Sequence, residues 1–429
     1  MAEEKKYKTG KAKKTLSVDV IKYVSKYYIE ANRAKKKGSK PICYHTSLDP
    51  IEIDYAMGII PMLPENFAAI CGALQLAPDL IEVAEQRGCP SDLCSYFKNH
   101  FGYMEGGKDL PSMKDAFDMN LIVLPDPDIV CSLRNICRLH PIWMRQVARF
   151  YNVPAFTMDA PQLHPKTSLS KIDDHYIEFG VSQLKDYISF LEKHTGRKFD
   201  MERLSETVAL SDRLSKIFEE IYELRKVTPC PVGGEDLNSL VFFLVTEAGS
   251  QEAVDVAQGI LDEVKDKVRR REGALPEGTE EAHRVSFVGI PPWHDMATAF
   301  TYMQKYGATS VDEIYVRAFS GFAGRMDPSH PLESLVRKYF FIYPTTTEQA
   351  LRLINIEDIA GYGIDGFICW NLTTCRLIST LIARLKAMYD LFNIPYVTCD
   401  ADQVDPRQYN VEQVRNRLVS RQLNYWTSL

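Results

Sequence analysis

No Cys-x-x-Cys pair occurs in this chain of 429 residues, although it contains ten cysteines. That absence excludes zinc ribbons and bacterial-ferredoxin clusters, whose ligands come from short local spacings. No apolar run reaches the length needed to cross a bilayer. The first residues, MAEEKKYKTGKAKK, have no apolar stretch behind their charges. A secretory leader is therefore not expected, and these lysines read as a solvated arm. Positive charge is in short supply: 51 Lys and Arg against 57 Asp and Glu leave a net charge of −6. That balance argues against generic nucleic-acid binding, though a local basic pocket for a phosphorylated ligand stays compatible with it. Neither a GxSxG elbow nor an HExxH zinc pair is present, and the nine histidines lack ligand spacing. Two glycine-rich stretches only imitate nucleotide motifs. GYGIDG at 361–366 precedes a strand-like run instead of following one, and GYMEGGKD at 102–109 places Asp109 where a P-loop needs Ser or Thr. ATP hydrolysis by this chain is not expected.

What remains is an ordinary globular composition, 45% hydrophobic and 25% charged. The length implies two or three domains. Ten cysteines without a leader point to a reducing, cytoplasmic setting, where clustered thiols serve as metal ligands or redox groups more often than as disulfides. Most of the ten should still be buried small residues.

Along the chain, residues 17–36 carry helical periodicity with a Ser or Asp start. β-rich stretches follow (PICYHTS, GIIPMLP, LIVLPDPDIVC, VPAFTMDA), with helical runs such as 78–88 and 139–151 between them. Residues 168–228 read as two or three amphipathic helices, 236–272 as another helical block, and GALPEGTEEAH at 273–283 as a surface linker. A second α/β set comprises RVSFVGIPPW, ATSVDEIYV, IDGFICWN and IPYVTCDADQ, closed by a helix at 411–425. The alternation predicts an α/β protein with two similar parallel-sheet, Rossmann/flavodoxin-like domains carrying helical insertions. The expected divisions are a helical arm at 1–38, a first α/β domain at 39–167, a helical segment at 168–284 and a second α/β domain at 285–429.

The tail repeats the middle. CSLRNICR, an apolar helical run and NVPAFTMDA at 131–160 recur as CWNLTTCR, a similar run and NIPYVTCDA at 369–401. Cys137 and Cys375 thus occupy matching strand-to-helix turns, where open α/β sheets bind ligands. Two such turns facing each other could hold one metal centre between the domains. Cys94, in CPSDLCSYFKNHFGYM, follows Ser91 and Asp92, either of which could cap a helix there. Cysteines at helix N-termini ligate metals readily. Taken singly each is more often structural, but recurrence favours a ligand role for Cys137 and Cys375. Cys131 and Cys369 lie within strands and read as core, as do Cys43, Cys71, Cys89, Cys230 and Cys399. Three thiolates and one open position would suit an iron–sulfur cube that also binds substrate at its unique iron.

Ser47 and Glu65 each end a β-like run. Bare chemistry makes Ser47 a cap and Glu65 an exposed loop acid, although near a cluster the two could hold a substrate hydroxyl and move its proton. His294 reads as a surface loop or a cleft residue. Asp402, Asp405 and Arg407 read as a charged turn with an internal ion pair.

At these residues the chain resembles the 2-hydroxyacyl-CoA dehydratase and benzoyl-CoA reductase family, from about residue 40 onward. The resemblance rests on RGCPSDLCSYFKNHFGYME, NICR before a Trp, IDGFICWNLTTCR and DADQVDPR. It implies that Cys94, Cys137 and Cys375 hold a 4Fe-4S cluster with one non-protein coordination site. It further implies a homologous second subunit, a separate ATP-hydrolysing iron–sulfur activator and an acyl-CoA substrate, with no nucleic acid or membrane involved. Ser47 and Glu65 match the Ser and Glu of the larger dehydratase subunit. The implied reaction is one-electron reduction of the thioester carbonyl to a ketyl radical, loss of the 2-hydroxyl and 3-proton, and return of the electron as enoyl-CoA forms. Glu65 would handle the departing hydroxyl and Ser47 would orient the substrate. The stretch GALPE through QKYGA is closer to the ATP-dependent aromatic-ring reductases, which protonate a ring instead of expelling hydroxide. Two further alternatives are an electron-relay subunit and a cluster-free α/β binding protein.

Overall fold

The computed structural model describes residues 16–118, 122–161, 163, 172–320, 326–341 and 356–423. Strands β1 (Ile42–Tyr44), β2 (Ile60–Met62), β3 (Ile129–Arg134) and β4 (Ala155–Asp159) form one sheet. Strands β5 (His283–Val288), β6 (Ala308–Glu313), β7 (Gly366–Leu372) and β8 (Tyr396–Ala401) form the other. Every pairing is parallel, in the orders β2-β1-β3-β4 and β6-β5-β7-β8. Replacing each strand of the first sheet by its counterpart in the second reproduces the order, so the duplication in sequence is a duplication of topology. The expected α/β class with two similar parallel sheets is what the chain adopts. Strands β1, β3, β6 and β7 are buried almost throughout, as strands covered on both faces must be.

The repeated Asn-Val/Ile-Pro signature has a physical reason. Helix α7 (Leu139–Tyr151) and its counterpart α14 (Arg376–Phe392) both end in a left-handed Asn, Asn152 at φ 53° and Asn393 at φ 51°. Asn tolerates that conformation, and the Pro two residues later cannot continue a helix. The carbonyl of that Pro then accepts the first ladder bond of the next strand, Pro154 from Val130 and Pro395 from Phe367, each at 3.0 Å. One short motif thus stops the helix and registers the strand, twice.

The remaining helices pack around the sheets. α1 (Val20–Lys37), α2 (Glu52–Ala56), α3 (Pro64–Ala73), α4 (Ala77–Gln86), α5 (Ser95–Met104) and α6 (Pro111–Asp118) belong with the first sheet's connections. Between the two sheets in sequence run α8 (Asp174–Thr195), α9 (Met201–Leu224), α10 (Gly234–Thr246) and α11 (Gln251–Arg270). α12 (Ile314–Ser320), α13 (Pro331–Tyr339) and α15 (Val411–Arg417) complete the second half. One continuous apolar core joins both sheets through α8 to α11, with Tyr187, Phe218 and Phe243 fully buried in it. Gly102 lets α5 lie directly on α4: a Cβ there would sit 1.8 Å from the Leu80 carbonyl oxygen.

Several local expectations are corrected. Residues 122–127 form no strand, because Pro125 and Pro127 cannot donate to a ladder; β3 starts only at Ile129. The block at 236–272 is two helices, broken at Glu247–Ser250 where Gly249 takes φ 101°. The last helix ends at Arg417 and widens into a π turn through Leu423, and residues 424 and 425 lie outside the described residues. No helix among the described residues is long and apolar enough to cross a membrane.

Candidate functional site

In each sheet the chain leaves the first strand toward one edge and returns to the other side with the third. The crevice between β1 and β3, and that between β5 and β7, is therefore a switch point, where α/β sheets expose loops to ligands. Ser47 follows β1 and Cys137 follows β3; Trp293 follows β5 and Cys375 follows β7. Glu65 enters from the end of β2, in the first turn of α3 just after Pro64.

The three predicted cysteines sit at helix N-termini. Cys94 is itself the N-cap of α5, so neither Ser91 nor Asp92 caps that helix. Instead the Ser91 carbonyl accepts from Lys98 and the Asp92 carboxylate pairs with Arg376 at 3.0 Å. Cys375 is the N-cap of α14, and Cys137 stands two residues ahead of α7. Leu139 N–H donates to Cys137 Sγ at 3.4 Å, and backbone N–H groups in the first turn of the following helix, Phe97 for Cys94 and Ile378 and Leu377 for Cys375, oppose the upward shift of the other two thiols. These donors favour a thiolate or an anionic cluster.

Burial acts the other way. It pushes the Cys94 thiol well above its ordinary range, raises Cys137, and takes Cys375 up to about 11. Cys94 senses both Cys375 and Cys137 electrostatically and Cys375 senses Cys137, so the three thiols lie near one another. The α5 terminus is clamped onto the Cys375 turn: Ser95 N–H donates to Thr374 Oγ1 at 3.3 Å, and the Thr374 hydroxyl donates to the buried Asp402. Gln403, next in sequence, points its Nε2 at Cys94 Sγ from 3.7 Å. The charged turn predicted at 402–407 is thus part of the site's frame. Asp402 accepts from Val404 and Asp405 N–H, and Arg407 bridges Asp405 and Glu85.

Three protein sulfurs without a fourth fit a group with an open coordination position. Elsewhere in the chain, Cys43, His45 and Asp54, and likewise His45, Asp49 and Cys131, offer ligand atoms all within 4.8 Å of one another.

Glu65 is not an exposed loop acid. Its carboxylate is mostly buried and held from two sides. Ser47 donates to Oε2 through its backbone N–H. His140 Nε2 stands 3.1 Å from Oε1. Burial opposes ionisation of Glu65, but the neighbouring His140 and the Ser47 bonds outweigh it and hold the carboxyl below its usual range. Burial likewise opposes charge on His140, and Glu65 reverses that, raising the imidazole. His140 Nδ1 is buried and has no partner among the described residues. The loop bearing Ser47 is pinned by Asp49, which accepts from Thr46 N–H and Oγ1 and from Leu133 N–H. Leu48, next to Ser47, is forced to φ 66°, a conformation that branched residues avoid.

Ser47 and Glu65 form the polar end of a cavity of about 300 Å³. Its aromatic wall is Tyr96, Trp293 and Tyr315: Trp293 Nε1 donates to the Tyr96 hydroxyl at 2.5 Å, and Tyr315 hydrogen-bonds the same phenol. Tyr96 stands two residues from Cys94, and Trp293 N–H donates to the Gln403 carbonyl at 2.9 Å, so the cavity wall is tied to the thiol site. His294 turns away to the Asp402 carbonyl at 3.2 Å. Of the remaining cysteines, Cys43, Cys71, Cys131, Cys230, Cys369 and Cys399 are buried and Cys89 is half-buried. Sequence reasoning missed His140 and Tyr96. Both were signalled by position, in the first helical turn after a candidate cysteine.

The arrangement defines a class: two duplicated α/β sheets, with thiols and a carboxylate cavity gathered at their switch points. The family model for the D-component of 2-hydroxyglutaryl-CoA dehydratase matches residues 47–420, and the chain belongs to that family. It is similar to the (R)-2-hydroxyisocaproyl-CoA dehydratase alpha subunit of Clostridioides difficile, 24% identical with 95% of each chain covered. It is also similar to the alpha subunit of the lactoyl-CoA dehydratase of Anaerotignum propionicum, 27% identical over 91% of each. A benzoyl-CoA reductase subunit of Thauera aromatica is 25% identical, covering 92% of this chain and 90% of its own.

Proposed function

We propose that this chain is the substrate-binding iron–sulfur subunit of a 2-hydroxyacyl-CoA dehydratase. The single observation carrying this reading is the convergence of three helix-N-terminal thiols, from three distant segments, beside a cavity in which Glu65 is the one charged group among the described lining residues. Cys94, Cys137 and Cys375 would hold a 4Fe-4S cluster and leave one position free for the substrate. When bound, the cluster supplies the thioester carbonyl with the electron that makes loss of the 2-hydroxyl possible.

The chain's own residues then have distinct tasks. Glu65, fixed on both oxygens, passes a proton from His140 to the 2-hydroxyl, which leaves as water. Ser47 fixes Glu65 through its N–H and would orient the substrate beside that carboxylate. His140 holds the other oxygen and is the proton donor nearest to it. The aromatic wall excludes water from the reacting thioester. The relatives are themselves named as subunits, which supports a second subunit alongside this one. The chain lacks a P-loop of its own, which supports electron delivery by a separate ATP-hydrolysing activator.

Ring reduction of an aromatic acyl-CoA is the second reading, favoured by the aromatic cavity wall and by the similarity to the benzoyl-CoA reductase chain. Anaerobic purification with the partner subunit, iron and sulfide analysis, and EPR with and without acyl-CoA test both. A cluster signal that shifts with 2-hydroxyacyl-CoA is expected; a shift only with an aromatic acyl-CoA selects ring reduction. Cys94→Ala, Cys137→Ala and Cys375→Ala should each lose iron while Cys230→Ala keeps it. Equal iron in all four variants refutes the ligand assignment.

A further inference from the structure

The cavity beside Glu65 also carries information about the acyl group, resting on the dehydratase reading above. Away from its polar end it is walled by Val24, Ala69, Ile70, Val241, Phe242 and Met296. Among the described lining residues there is no Lys, Arg or His, and Glu65 is the only charge. That carboxylate is already committed to Ser47 and His140. Asn238 adds a second constraint. Its Nδ2 is used by the Gly234 carbonyl at 2.8 Å, and its Oδ1 is buried without a partner among the described residues, so the free amide atom is an acceptor.

We propose that this cavity takes an uncharged, apolar acyl side chain, branched alkyl or aryl, and rejects acyl groups that end in a second carboxylate. A carboxylate entering here loses its water and gains no cation; it meets the acceptors Glu65 and Asn238 Oδ1, and the donors it could reach, such as Ser25, Asn66 and Ser239, are all neutral. An apolar side chain gains from each group it buries, about fourfold in affinity per methylene. The aromatic rings of the wall offer edge contacts to an aryl group. At about 300 Å³ the space lies at the lower end of small-molecule pockets, enough for such a group and not for a long chain.

The test is anaerobic calorimetry on the cluster-loaded complex with its partner subunit, without the activator, so that binding is read apart from turnover. The probes are lactoyl-CoA, 2-hydroxyisocaproyl-CoA, phenyllactyl-CoA and 2-hydroxyglutaryl-CoA. The isocaproyl and phenyllactyl thioesters are expected to bind at least tenfold more tightly than the glutaryl thioester. Ile70→Ala should weaken 2-hydroxyisocaproyl-CoA about tenfold and lactoyl-CoA by a smaller factor. Equal or tighter binding of the dicarboxylic thioester overturns the proposal. Binding of the apolar thioesters with no water loss once activator and ATP are added sustains the selectivity and overturns the dehydratase reading instead. No binding by any thioester overturns both.

Discussion

Replacing His140 by Ala should expose how strongly the cavity's carboxylate depends on its imidazole partner. The two groups are 3.1 Å apart, with side chains 6% and 13% exposed. Coulomb's law at the effective dielectric suited to such sites gives an upper limit of about 5 kcal/mol for that separation. Desolvation of both groups offsets part of it, and a net value of about 2 kcal/mol is in line with hydrogen bonds to charged groups. The assay is a double-mutant cycle on urea unfolding of the cluster-free protein, using His140→Ala, Glu65→Gln and the double variant. His140→Ala should cost about 2–4 kcal/mol, because it leaves Glu65 buried with only Ser47. The same change made in the Glu65→Gln background should cost roughly 2 kcal/mol less. A coupling energy below about 0.5 kcal/mol would mean that the pair is incidental, and Glu65 would then have no partner to share a proton with.

Other outcomes follow from the same geometry. Glu65→Gln should retain iron and the EPR signal yet lose at least a hundredfold in turnover, as general acid–base groups do; loss of iron would make Glu65 structural. Glu247, buried at the end of α10, has its carboxyl pushed up to about 7 by burial and by Glu252. A raised folded-state value means that its charge opposes folding above pH 7 and that the penalty disappears as pH falls toward 4.5. Glu247→Gln should therefore stabilise the protein by on the order of 2–3 kcal/mol at pH 8 and by almost nothing at pH 4.5. A gain independent of pH would refute that assignment. Glu52, fully buried in α2, meets Lys338 at 3.1 Å, Tyr339 at 2.8 Å and Ser211 at 2.6 Å, all on one oxygen. Lys338→Met should cost about 3–5 kcal/mol in unfolding measurements, with Glu52→Gln in the same chain recovering much of it. No recovery would show that Lys338 acts through packing alone.

The fold was largely legible because its signals are local. Asn152-Val153-Pro154 and Asn393-Ile394-Pro395 state a helix stop and a strand start within three residues, and their recurrence disclosed the duplication. The strand expected at 122–127 is absent for the complementary reason: its apolar residues imitate a strand, but Pro125 and Pro127 have no N–H to donate to a ladder. The cysteines were singled out by repeat position and helix-start context, properties the sequence carries by itself. Glu65 and Ser47 were not distinguishable from ordinary turn chemistry without a resemblance to known proteins, because burial depends on what packs over a residue.

The sequence by itself determined the parallel α/β class, the duplicated strand–Cys–helix–strand unit and the absence of a nucleotide motif, since each follows from spacing within one segment. Only the tertiary structure decided that Cys94, Cys137 and Cys375 lie near one another, that His140 answers Glu65, and that Tyr96, Trp293 and Tyr315 form one wall. These contacts join segments as far apart as residues 65, 140 and 315, and no local pattern encodes such a distance. They are set by how two sheets with the same strand order place their switch-point loops around a common core.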